Sequence, residues 1–71
     1  MSWLAHLFRR PATAPVWVAT HQHRKGGVYR LLQEGVYEPD RHPVAIYDDP
    51  NGTVWVRPMA EFNDGRFMRL T

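Results

Sequence analysis

Cysteine is absent from all 71 residues. This excludes a disulfide framework, a thiol nucleophile and a thiolate metal cage. Long apolar runs are missing as well. The N-terminal stretch "MSWLAHLF" falls far short of the roughly 20 residues a membrane helix needs. Arg9 and Arg10 follow its apolar part, the reverse of a secretory signal, so the expectation is a soluble cytoplasmic protein with no membrane association. Acidic residues are lacking from the first part of the chain: Arg9, Arg10, Arg24, Lys25 and Arg30 all precede Glu34, the first carboxylate. The net charge is only +2, yet this polarity could steer the protein toward an anionic partner. Folding could equally bring Asp48, Asp49 or Glu61 beside the basic residues and cancel the patch.

A chain of this length holds one domain and buries only about 60% of the surface its unfolded form exposes. Without cross-links, its stability must come from the apolar side chains and from three Trp, three Tyr and three Phe. "SWLAHLFRR" places Trp3, Leu4, Leu7 and Phe8 at helical spacing, with Ser2 as a cap and Pro11 as a stop. A helix shorter than about 12 residues needs a surface to pack on. "PATAP" then reads as a linker. Residues 1–14 are therefore an amphipathic arm with its linker, and residues 15–71 a separate small β domain.

From Val16 the pattern turns to strands. "VWVAT", "VYRLLQE", "VAIY", "TVWVR" and "RFMRL" are β-branched, aromatic or alternating, and "HRKGG", "EPDRHP", "DDPNG" and "NDG" between them are turn chemistry. Asn51 and Gly52 mark a hairpin tip, because a tight turn needs the positive φ that Gly supplies. Pro58 ends the strand after it, and "MAEF" has room for one helical turn before the closing strand. That succession predicts a mainly β protein: a small, partly open, antiparallel SH3-like barrel of about five short strands with a short N-terminal helical arm.

Residues 23–70 carry a combined pattern: His23, Lys25, Gly26, Gly27 and Tyr29, then Trp55, Val56, Arg57 and Pro58, then Phe62, then Arg66 and Phe67. In this the chain resembles the family catalogued as domain of unknown function 1653, whose own activity is not established. Members of that family usually carry a polar His-Thr-Glu-Thr-like segment eight residues after the first Tyr. Counting from Tyr29 leads here to Tyr37, Glu38, Pro39 and Asp40, and the loops after Tyr47 and Phe62 are shorter than usual. The resemblance implies a fold and a shared surface, not an activity.

Two stretches could bind. "HRKGG" offers His23, Arg24 and Lys25 beside Gly26 and Gly27, whose bare backbone N–H groups could meet a phosphate or carboxylate. A nucleotide-binding P-loop needs its Lys after the glycines and a helix next, and neither holds here. The simpler reading is a turn between two strands. On the strand "TVWVR", Trp55 and Arg57 share one side and Val54 and Val56 the other. With the valines facing the core, Trp55, Arg57 and Tyr29 or Tyr47 form a surface that stacks on a base, a ring or a proline-rich peptide. Alternatively, Trp55 belongs to the core and Arg57 pairs with Glu61 or Asp48.

His21 and His23 alternate on one strand face and could chelate a metal with His42 or Asp40, but a zinc site needs three or four ligands and no further cluster supplies them. They read as exposed loop histidines, and neither a metal nor a cofactor is assigned. Lys25, Glu38 or Asp40 with His42 are the residues an enzyme would use, and nothing in their spacing orders them. The candidate partner-binding set is thus His23, Arg24, Lys25, Gly26, Gly27, Tyr29, Trp55 and Arg57. The function expected is a non-enzymatic protein-interaction module, with self-association through the N-terminal arm as one way to hold a partner. The alternative is a nucleic-acid-binding module that uses the basic residues and exposed aromatics.

Overall fold

β-branched and aromatic runs become strands wherever a neighbouring run can pair with them, and the Gly-, Pro- and Asp-rich pieces between become turns. A computed structural model describes residues 16–70 of the chain. The N-terminal arm and linker expected at residues 1–14 lie outside those described residues. Five strands follow in order: β1 (His21–His23), β2 (Val28–Val36), β3 (Pro43–Asp48), β4 (Val54–Pro58) and β5 (Phe67–Arg69), with the single helical turn α1 (Met59–Phe62) between β4 and β5. They make one open antiparallel sheet in the order β4-β3-β2-β1-β5. Among the described residues no helix is long and apolar enough to cross a membrane.

The long strand β2 holds the sheet together by changing partners. Val28 and Tyr29 pair with β1, and from Arg30 onward the strand pairs with β3, with a bulge between Leu31 and Gln33. A bulge adds local bend and twist, which lets one strand serve two neighbours at different angles. Tyr47, Ala45, Phe62 and Phe67 form the core on one side of the sheet, with Tyr29, Leu31 and Met59 packed against them. Phe62 and Phe67 stack with ring centroids 4.5 Å apart, and Tyr47 lies within 5.4 Å of both. α1 and β5 thus bring Phe62 and Phe67 against this face, while on the other face of β3 Val44 and Asp48 are also buried.

The expected strand at "VWVAT" does not form: the first strand begins at His21, and residues 16–19 join no ladder. Trp17 instead donates its indole N–H to Asp48 at 3.0 Å, while Val16 and Val18 point into solvent. β-branched composition is a preference for a pleated, half-buried surface, and here no strand lies alongside to supply one. Thr20 ends this segment by accepting the Leu31 N–H on its hydroxyl at 2.7 Å.

A second expectation is reversed on β4. Val54 and Val56 do not face the core: they are 57% and 61% exposed. The side of β4 that carries Trp55 and Arg57 lies over the aromatic cluster, because Trp55 sits opposite Tyr47 in the ladder. The hairpin from β3 to β4 forms where "DDPNG" places it. Gly52 takes φ +86°, and the Asp49 carboxylate accepts the N–H groups of Asn51 and Thr53.

"HRKGG" is a turn, and its two glycines serve different needs. Gly26 has φ +106° and donates to the His23 carbonyl at 2.7 Å. At Gly27 a Cβ would lie 3.0 Å from the Tyr29 hydroxyl oxygen and 3.1 Å from its ring. Gly26→Ala should therefore cost about 1 kcal/mol through backbone strain alone, with the Tyr29 ring in place. Gly27→Val should destabilise by pushing that ring aside. Urea unfolding followed by far-UV dichroism checks both, and a neutral Gly26→Ala would mean that the turn does not depend on its left-handed residue.

Candidate functional site

β2 and β3 carry Tyr29 and Tyr47 side by side, and β5 closes back to set Phe67 against both. All three contacts are edge-on, with interplanar angles of 87°, 74° and 69°, the arrangement ring quadrupoles favour. These rings are the floor of a cleft of about 250 Å³. One wall is the β1–β2 turn, through His23, Lys25 and Gly27, and the other is β4, through Trp55 and Arg57.

Each wall residue is held by a neighbour. His23 lies edge-on to Phe67 at 4.9 Å, and its Nδ1 accepts the backbone N–H of Lys25 at 3.1 Å. That bond leaves the proton of the neutral ring on Nε2. Partial desolvation and then Arg24, Lys25, Arg57 and Arg66 hold the imidazole below its ordinary value of 6.5. Trp55 is 46% exposed, and its indole N–H donates to Asp49 at 3.0 Å. Arg57 donates from Nε to the Tyr47 hydroxyl at 3.3 Å and from Nη1 to Glu61 at 3.0 Å, with its guanidinium carbon 5.8 Å from the Phe67 ring centre. The Tyr47 hydrogen bond and the Glu61 carboxylate both favour its charged form.

Six of the eight residues chosen from sequence thus line one cleft: His23, Lys25, Gly27, Tyr29, Trp55 and Arg57. Arg24 and Gly26 belong to the same turn but do not line it; the Arg24 N–H pairs with the Arg66 carbonyl at 2.8 Å. Trp55 is surface and rim rather than core, while Arg57 does take Glu61 as its partner. Arg30 is elsewhere. It lies on the opposite face of the sheet, where Asp48 receives its Nε at 3.1 Å and its Nη2 at 2.5 Å. Two lining residues stand outside the set chosen from sequence: Tyr47, weighed there only as an alternative to Tyr29, and Phe67, which neither of the two basic and aromatic stretches contains. The position of Phe67 beside His23 in the β1–β5 ladder became apparent only with the pairing.

The histidines of β1 are not exposed loop residues. Both are half-buried, His21 at 4.8 Å from the Phe62 ring and His23 on Phe67. Among the described residues no three His, Asp or Glu side chains are grouped to hold a metal. Asp40 and His42 pair at 2.5 Å in the β2–β3 loop, and neither lines the cleft. A larger concavity of about 460 Å³ opens beside α1, but its charged lining, Glu34 and Arg69, is of opposite sign and so gives no preference for a charged ligand. No protein-family model, curated protein or solved structure matches the chain.

Proposed function

We propose that the chain is a non-enzymatic interaction module that holds a protein partner in the cleft between the β1–β2 turn and β4. One observation carries this reading: two segments distant in sequence contribute a lysine, a guanidinium and a half-exposed indole to one mouth over an aromatic floor. Exposed Trp and Arg flanking a ring-lined depression are the residue types that dominate binding at protein interfaces. Among the described residues the lining holds no carboxylate to orient His23 or to act as a base, which favours binding over catalysis. A nucleic-acid module would need a continuous basic track. Arg30 is engaged with Asp48 on the far face and Arg57 is shared with Glu61, so that track is broken.

We also propose that the sheet is a small barrel of the SH3-like class, of the kind the resemblance to domain of unknown function 1653 implies. The partner change at the β2 bulge supports this, as does the finish of strand, single helical turn and short closing strand. So does the gathering of His23, Lys25, Gly27, Tyr29, Trp55 and Arg57 of that pattern around one cleft.

Affinity capture from the native host, with and without nuclease, tests the reading. A bound protein should survive nuclease treatment and be lost with Trp55→Ala. That variant should melt close to the parent temperature, because Trp55 is half exposed and packs at the rim. Loss of the partner on nuclease treatment would favour the nucleic-acid module instead.

A further inference from the structure

We infer that the cleft takes the free C-terminal carboxylate of a partner chain together with that chain's last side chain, an aromatic or large apolar one. This rests on the reading of the cleft as a protein-binding site and names what it recognises. Size limits the ligand first. About 250 Å³ lies below the roughly 300–1,000 Å³ of most small-molecule sites, so there is room for one side chain and its terminus rather than a cofactor. The floor then selects its character, since edge-on Tyr29, Tyr47 and Phe67 offer ring faces and edges to another apolar group.

Charge selects the rest. Among the described residues every ionisable group lining the cleft, the two floor tyrosines aside, is basic: His23, Lys25 and Arg57. Glu61, shared between Arg57 and Arg66, offsets part of this charge, and a singly charged carboxylate needs less of what remains than a doubly charged phosphate does. Tyr47 and Glu61 occupy Nε and Nη1 of Arg57, and among the described residues Nη2 is left to donate. A chain terminus carries its carboxylate on the same residue as its side chain, so a single residue satisfies floor and wall together. Capture of a C-terminal carboxylate by backbone and basic groups is a recurrent mode of peptide recognition.

His23 supplies a second signature. It shares the cleft with Lys25 and Arg57, and partial desolvation followed by the charges of Arg24, Lys25, Arg57 and Arg66 favours its neutral form. An incoming carboxylate offsets that field, so the imidazole gains a proton on binding. The sign follows: the complex binds the proton more tightly than the free protein, and affinity rises as pH falls through the His range.

The test is an NMR titration of the full chain with four N-blocked tetrapeptides: one ending in Phe with a free carboxylate, its C-terminal amide, a free-acid peptide ending in Ser, and an amidated peptide with an internal phosphotyrosine. The Phe acid should shift the amides of His23, Lys25, Gly27 and Trp55, and the amide and the Ser acid should each bind roughly tenfold more weakly. Lys25→Ala should weaken the Phe acid several-fold, with Lys25→Arg restoring it. Affinity should be higher at about pH 6 than at about pH 8, and His23→Gln should remove most of that difference. Equal binding of acid and amide, preference for the phosphotyrosine peptide, or no shift at these residues would each overturn the inference. If no peptide binds while a nuclease-resistant partner is still lost with Trp55→Ala, the terminus is the wrong ligand and the protein-binding reading stands. If that partner is missing too, both fall.

Discussion

Phe62→Ala is expected to leave the protein largely unfolded at room temperature. Phe62 is 2% exposed and meets His21, Tyr47 and Phe67 within 5.3 Å, so it is the meeting point of β1, β3, β5 and its own helical turn. Truncating a buried Phe costs about 3–5 kcal/mol, through lost burial and the cavity left behind. A single core of this size rarely supplies more than about 3–5 kcal/mol in total. The two figures are equal within their spread, and no disulfide adds to the second. Near-UV dichroism and amide dispersion in an NMR spectrum should both collapse. Val56→Ala, at a position 61% exposed, should leave both intact and separates core loss from a general intolerance of substitution. A Phe62→Ala protein that still unfolds cooperatively, only a few degrees below the parent, would place the core elsewhere.

Strands β2, β3 and β4 and the turns between them were legible because alternation and turn residues are local signals. "VYRLLQE", "VAIY" and "TVWVR" each lie within a strand or overlap its ends by a residue, and "MAEF" is the single helical turn its length allows. "VWVAT" failed because composition cannot reveal whether a neighbouring strand exists. The strand β4 formed as expected, but the side it turns to the core was misread for a different reason. Period two separates Val54 and Val56 from Trp55 and Arg57, but it does not say which side α1 and β5 will cover. The larger aromatic went to the side that carries Tyr47 and Phe67 and remained half open at its rim.

The candidate site divides in the same way. The basic turn and the Trp55, Arg57 pair could each be recognised where they stand. Their meeting depends on β1, β2, β3 and β4 lying side by side and on β5 returning against β1, which is information held in long-range pairing. The basic residues of the first part of the chain also sorted themselves by pairing. Lys25 reached the cleft, whereas Arg30 was drawn to the opposite face by a carboxylate 18 residues further on. That long-range ion pair is where the strongest pH dependence should lie.

Asp48→Asn is expected to lower the melting temperature at neutral pH by on the order of 10 °C, and the deficit should shrink as the solution is acidified. Asp48 is 6% exposed at the end of β3 and receives three hydrogen bonds, two from Arg30 of β2 and one from the indole of Trp17. Its carboxyl is held below the ordinary value of 3.8, chiefly by the Arg30 hydrogen bonds, with burial opposing and Trp17 assisting. A depressed folded-state value means that the stabilisation is complete above the unfolded value and is lost as pH falls through the folded one. The affected window therefore starts just under pH 4 and extends downward. Asp40, Asp49 and Asp64 are shifted the same way by His42, Trp55 and Arg66, so the parent protein should also lose stability there. Asn keeps one acceptor oxygen, for Trp17 and the Nε of Arg30, but loses both the charge and the oxygen that accepts from Nη2, so the difference between the two proteins reports the ion pair together with that hydrogen bond. Urea unfolding of both proteins from neutral pH down to about pH 2.5 should show two curves that converge. Curves that stay parallel would mean that Asp48 acts through packing alone, and that the guanidinium of Arg30 does not need a charged partner to remain against the sheet.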